Sequence, residues 1–261
     1  MQNKLFESLV DVIATLRGEN GCPWDREQTH SSLKSTLIEE TYETVEAIDS
    51  GDLNHLKEEL GDLLLNIMLQ AQIADESENF DIYDVIESLT EKLIRRHPHV
   101  FGNVEVENAD DVIKNWESIK SQETGYQDRE SALDGIPVAL PALLRGQKIQ
   151  KRAARVGFDW DNLTDVVNKV DEELNEVKDS LSNNDPNEIE MEIGDLLFAV
   201  VNLCRFVDLQ AEETLRKANR KFVGRFKRME AVLKEQGKDI TDQTLEELDQ
   251  IWDAIKKDEL S

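Results

Sequence analysis

Glu172-Glu173-Leu174-Asn175-Glu176 and, after fifteen intervening residues, Glu192-Ile193-Gly194-Asp195 decide how this chain folds. Residues three or four apart share a helix face, so Glu173 and Glu176 project together, as do Glu192 and Asp195. Between them Ser182-Asn183-Asn184-Asp185-Pro186 reads as a turn, with Asp185 as cap of the next helix and Pro186 in its first position. The stretch predicts a helical hairpin with four carboxylates along its seam. Glu39-Glu40-x-x-Glu43 and Glu59-x-x-Asp62 repeat the pattern, displaced by 133 residues.

Working outward, the repetition covers nearly whole domains. The apolar positions Leu56, Leu60, Leu63, Leu64, Ile67, Met68 and Ala71 have apolar counterparts 133 residues later, at Ile189, Ile193, Leu196, Leu197, Val200, Val201 and Cys204. This is the stripe of a core-facing helix. Asp52 repeats as Asp185, while Gly21-Cys22-Pro23-Trp24-Asp25 and Trp116 recur at an offset of 136, as Gly157-Phe158-Asp159-Trp160-Asp161 and Trp252. The chain is therefore expected to be all-α, with two copies of one all-helical unit over residues 1–124 and 142–261. The polar stretch 125–141, with Gly125, Gly135, Pro137 and Pro141, is expected to link them. Helices are expected over 5–16, 33–48, 53–74 and about 111–122, with a loop at 21–25. Asp81 should cap a helix that ends before Pro98, and Thr244 with Glu247 should form a capping box. Only Val104-Glu105-Val106 alternates as a strand would, over too short a span.

The formal charge of −26 sets 56 acidic against 30 basic residues, which argues against non-specific binding to nucleic acid or anionic membranes. No apolar run is long enough to span a bilayer, and no signal-peptide pattern opens the chain. Cys22 and Cys204 are far apart and lack ligand-type spacing. A cytoplasmic protein with reduced thiols is expected.

Four carboxylates brought together between helices repel one another and lose hydration unless a cation joins them. The second-helix position of each pair lacks the histidine of a Glu-x-x-His di-iron motif, so a di-iron redox protein is disfavoured. Hard oxygen ligands fit Mg2+ or Mn2+ better than iron or zinc. Such a site suits hydrolysis of a nucleotide phosphoanhydride. A single acidic helix face is more often merely solvated; two copies with equal spacing beside an apolar stripe argue otherwise. Lys221 and Arg225, four apart on one helix face, suit contact with a triphosphate, and Lys92, Arg95 and Arg96 occupy the corresponding region of the first half. Arg145, Lys148, Lys151, Arg152 and Arg155 form a second basic cluster. Trp24, Trp116, Trp160 and Trp252 could stack on a base, though at least two of the four are expected in the core. The competing reading is a non-catalytic, acidic helical regulatory or interaction protein with structural metal sites.

The duplicated Glu-Glu-x-x-Glu and Glu-x-x-Asp motifs, with Leu140-Pro141-Ala142-Leu143, Gln147-Lys148-Ile149-Gln150-Lys151-Arg152 and Val156-Gly157-Phe158-Asp159-Trp160, resemble the two-domain MazG nucleoside triphosphate pyrophosphohydrolases. The resemblance spans essentially the whole chain. It implies Mg2+-dependent cleavage of ribo- and deoxyribonucleoside triphosphates between the α and β phosphates, in a homodimer that completes each four-helix unit. Carried over by position, Glu173, Glu176, Glu192 and Asp195 are metal ligands, and Glu172 is a supporting group or base. Lys169, Lys221, Arg225 and Trp252 are nucleotide contacts. Glu40, Glu43, Glu59 and Asp62 form a possible second metal site. Thr36 stands where the second copy has Lys169, and the helix before the first turn carries only Lys4 and Arg17, so the C-terminal site is expected to be the principal one.

Overall fold

A computed structural model describes residues 2–123 and 130–259. Every regular element among them is helical, and none is long and apolar enough to cross a membrane. The chain divides into two compact units, Met1–Gln127 and Asp128–Ser261.

In the first unit, α1 (Gln2–Arg17), the short α2 (Pro23–Glu27), α3 (Lys34–Ser50), α4 (Leu53–Asp75), α5 (Ile82–Arg96), α6 (Pro98–Phe101) and α7 (Ala109–Ser121) follow one another. The α3–α4 hairpin is the centre, with α1 and α5 packed on α4 and α7 on α5. Ile13, Leu33, Met68, Leu69, Ala71, Ile73 and Ile82 form the core. Arg17 ties three elements together: it donates to both Glu76 carboxylate oxygens at 2.7 Å and to the backbone carbonyls of Asp25 and Gln28. Of residues 21–25, expected as a loop, Gly21 and Cys22 stay outside any helix, while Pro23, Trp24 and Asp25 enter α2. Pro23 at its first turn lacks only an N–H that a helix start leaves unpaired, and its fixed φ suits the helix.

The second unit runs α8 (Ala142–Arg155), α9 (Leu163–Asn183), α10 (Pro186–Phe206), α11 (Ala211–Glu235), a 3₁₀ turn (Ile240–Asp242) and α12 (Leu245–Asp258). The α9–α10 hairpin is again central, α8 packs on α10 and α11, and α12 packs on α11. Met229, Leu233 and Ile255 form a core with Ile240, Leu248, Ile251 and Trp252 against it. Gln147 fastens α8 to the start of α11, donating to the Leu209 carbonyl at 2.6 Å and accepting from the Ala211 N–H at 2.9 Å.

The two hairpin turns share a left-handed closing residue and an aspartate cap. Gly51 (φ 72°) and Asn184 (φ 59°) end the first helix of each pair in the left-handed conformation, which glycine and asparagine tolerate best. Asp52 and Asp185 then accept from backbone N–H groups of the next helix, as their positions predict. The Asp81 and Thr244 capping boxes are also present.

Two expectations need correction. The apolar stripe is only partly covered within the chain: Leu60, Leu64 and Ile67, and their counterparts Ile193, Leu197 and Val200, are each between 38 and 54% exposed. The single chain supplies too few helices to cover both faces of each hairpin, so α4 buries Met68, Leu69, Ala71 and Ala74 and leaves the other face open. The tryptophans also stay out of the fully buried core. Trp24 and Trp160 are exposed, and Trp116 and Trp252 are half-buried beside arginines. Part of the expected linker, residues 125–129, lies outside the described residues. The remainder touches the second unit, where Arg152 donates to the Ala132 carbonyl at 3.2 Å and also to that of Asp134.

Candidate metal and nucleotide site

Each hairpin brings its carboxylates together. Carboxylate oxygens of Glu173, Glu192 and Asp195 lie within 4.8 Å of one another, and those of Glu40, Glu43 and Glu59 do the same. Glu176 and Asp62, the fourth member of each expected set, fall outside these groups of three but interact electrostatically with them. The Glu176 carboxyl is pushed up from its ordinary range, first by lost hydration and then by the Glu173 and Glu192 charges. Glu40 is raised in the same way, by desolvation and then by Glu43, Asp62 and Glu59. Crowded, dehydrated oxygen donors of this kind fit a hard divalent cation. In the first unit the buried Glu59 also holds one oxygen, Oε2, with no hydrogen-bond partner, while Oε1 faces His55 Nε2 at 3.0 Å.

The two clusters differ in their cations. Lys169 Nζ reaches Glu172 at 2.7 Å and Glu173 at 2.8 Å, and these carboxylates hold the ammonium in its charged form well above its ordinary range. Thr36 is the first-unit equivalent, so Glu40 has no such lysine.

They differ in their surroundings as well. Glu173, Asp195 and Lys169 border a cavity of about 570 Å³ whose walls include Phe158, Trp160, Phe198, Gln150 and Asn202. Leu133, from the stretch expected to be only a linker, contributes to the same wall. Arg205 pairs with Asp159 through both terminal nitrogens, one contact at 3.0 Å, and so fixes the Phe158–Trp160 turn over the cavity. That pairing holds the Asp159 carboxyl below its ordinary range. The first-unit equivalents of Asn202 and Arg205 are Leu69 and Gln72, and Leu69 is buried in the core.

Lys221, Arg225 and Trp252 lie elsewhere in the second unit, on α11 and α12, and do not border this cavity. Arg225 donates from Nε and Nη2 to Glu259 at 2.9 and 2.7 Å, and Arg228 donates to its other oxygen. The Arg225 guanidinium lies 5.9 Å from the centre of Trp252, which packs 5.1 Å from Phe222. The first unit repeats this clamp: Arg95 and Arg96 both donate to Glu123, and Arg96 lies 5.3 Å from the centre of Trp116. Glu123 and Glu259 stand 136 residues apart, the offset of the two tryptophans. That spacing was available in the sequence and marks a feature the acidic motifs alone do not reveal.

The arginines hold the Glu123 carboxyl at about 2, against an ordinary 4.5. A carboxyl lowered on folding stabilises the protein above its unfolded pKa, and that contribution fades as pH falls from 4.5 towards 2. Thermal melts across this interval are expected to show a shallower acid loss for Glu123→Gln than for wild type. Parallel curves would refute a stabilising clamp.

Fold and site thus define a class: an all-helical protein of two homologous units, each with a carboxylate cluster suited to a divalent cation. Residues 28–101 and again 162–229 match the MazG nucleotide pyrophosphohydrolase domain. Over 252 residues the chain is 48% identical to the nucleoside triphosphate pyrophosphohydrolase/pyrophosphatase MazG of Thermotoga maritima, covering 97% of this chain and 96% of that protein. It is 45% identical to the nucleoside triphosphate pyrophosphohydrolase of Escherichia coli K12, covering 98% of each. The chain belongs to the MazG nucleotide pyrophosphohydrolase family, a family of enzymes.

Proposed function

We propose that the second unit hydrolyses ribo- and deoxyribonucleoside triphosphates to the monophosphate and pyrophosphate. The observation that carries this reading is the opening of the Glu173–Glu192–Asp195 cluster onto an aromatic-walled cavity of nucleoside size. Glu173, Glu176, Glu192 and Asp195 would hold Mg2+, or Mn2+ in its place, because all four are hard oxygen donors. When bound, such an ion neutralises phosphate charge and lowers the pKa of a coordinated water. Lys169 keeps Glu173 turned into the cluster and adds positive charge at the cavity mouth, while the exposed Glu172, paired with the same lysine at 2.7 Å, is the supporting group or base beside it. Phe158, Trp160 and Phe198 offer apolar surface to the nucleoside. The first unit keeps the carboxylates Glu40, Glu43, Glu59 and Asp62 but lacks the lysine and the Asn202–Arg205 pair, which supports a lesser role for it.

The matched open stripes support a homodimer in which a second chain covers them. Gly61 and Gly194 lie beside these stripes, with nothing within 4 Å of a Cβ placed at either position. A helix-interior glycine costs about 1 kcal/mol relative to alanine, so its presence in both copies fits close approach of another helix. In this reading Lys221, Arg225 and Trp252 are contacts that a second chain brings to the nucleotide. The free cysteines fit a cytoplasmic setting.

A product assay over common and deoxy triphosphates tests the reaction. Pyrophosphate and monophosphate are expected in the presence of Mg2+; orthophosphate and diphosphate, or no turnover, would refute it.

A further inference from the structure

We infer that Asn202 is a specificity-determining residue that offers a hydrogen-bond donor to the base, with Arg205 as the residue that positions it. The inference rests on the cavity being the nucleoside site of the proposed reaction. Asp195, Phe198, Ala199 and Asn202 border the cavity from one face of α10. At 1.5 Å per residue, Asn202 lies about 10 Å along the helix from Asp195. A triphosphate held at the carboxylates would place its base near the far end of that face.

The orientation of the Asn202 amide follows from its neighbour. Arg205 Nε donates to Asn202 Oδ1 at 2.9 Å. A guanidinium has no acceptor, so the amide oxygen must face it and the NH2 group faces away. Arg205 cannot easily turn aside, because both terminal nitrogens are engaged by Asp159 and the side chain is only 14% exposed. Asp159 Oδ1 also accepts from the Trp160 N–H at 2.9 Å. One ion pair therefore sets both the amide and the aromatic turn beside it.

An oriented N–H donor in a half-buried wall pairs with a carbonyl oxygen and meets a second donor when the base carries an amino group. Uracil and hypoxanthine present such a carbonyl at the edge where cytosine and adenine present an amino group. The shape-matched pairs UTP with CTP, and ITP with ATP, differ in this group and in the adjacent ring nitrogen, which changes from donor to acceptor with it. Wild-type kcat/KM is expected to favour the carbonyl member of each pair by at least about tenfold. Asn202→Ala should bring both ratios close to one. Asn202→Asp, which keeps an oxygen for Arg205 and replaces the donor by an acceptor, should move them towards CTP and ATP.

The ratio within one enzyme preparation does not depend on the fraction that is folded, so reduced expression of a variant leaves the reading intact. Ratios that stay at the wild-type value in both variants overturn the assignment, as does a wild type with no preference in either pair. In those cases continued release of pyrophosphate leaves the proposed reaction standing. Failure of the wild type to release pyrophosphate from any of the four substrates overturns the reaction, and the assignment falls with it.

Discussion

Glu173→Gln is expected to lower kcat on nucleoside triphosphates by about a thousandfold, and Glu40→Gln by less than about twofold. A metal at a phosphoryl centre contributes several kcal/mol, and each 1.36 kcal/mol is tenfold in rate, which gives about three orders of magnitude for disabling it. Glu173 is the buried member of its cluster, 6% exposed, and holds Lys169 at 2.8 Å. Its amide analogue loses the charge that both the cation and the lysine require, while Lys169 can still pair with Glu172 at 2.7 Å. Glu40 has no lysine and lies in the unit whose cavity-lining counterparts are Leu69 and Gln72. Steady-state pyrophosphate release measures both variants. Comparable losses in the two would overturn the ranking of the sites.

Chelation should abolish turnover, and Mg2+ should restore it. The same ion should raise the melting temperature, because a ligand that binds only the folded state stabilises it by about 2.7 kcal/mol at a hundredfold excess over its Kd. For a unit of this size that corresponds to roughly 5–10 °C. The shift should shrink in Glu173→Gln, since three carboxylates then face the cation instead of four. A melting temperature indifferent to Mg2+ and Mn2+ in the wild type would remove the metal from the account, independently of any activity measurement.

Much of this architecture was legible in the sequence because its signals are local. Asp52, Asp185, Asp81 and Thr244 cap helices through contacts within three residues of themselves. The Glu-x-x-Glu and Glu-x-x-Asp spacings place each pair on one helix face, so only the packing of two adjacent helices was needed to bring them together. What the sequence concealed depends on contacts between distant segments. Asp159 and Arg205 meet across 46 residues, and Arg225 reaches Glu259 across 34. No helical periodicity pairs Asp159 with Arg205, and the 136-residue repeat marks Glu259 without naming its arginines. Arg225 and Trp252 show the same limit: the sequence identifies their chemistry, and within one chain their immediate partners are Glu259 and Phe222. The half-buried setting of Trp116 and Trp252 has a related cause. A large aromatic beside an arginine can cover it at a half-exposed site and gain from the cation, without entering the core.

In the proposed homodimer each chain brings one open stripe per unit, two in all. Pairing each face with its own kind in a second chain closes the assembly after two members. Unlike faces paired head to tail leave one face unmatched at each end and permit continued growth unless the rotation closes a ring. The copies share their apolar positions but differ nearby, with His55 against Glu188 and Thr36 against Lys169. After duplication, such divergence would do more than divide catalytic labour: it would let each face tell its twin from its sister and keep the assembly finite.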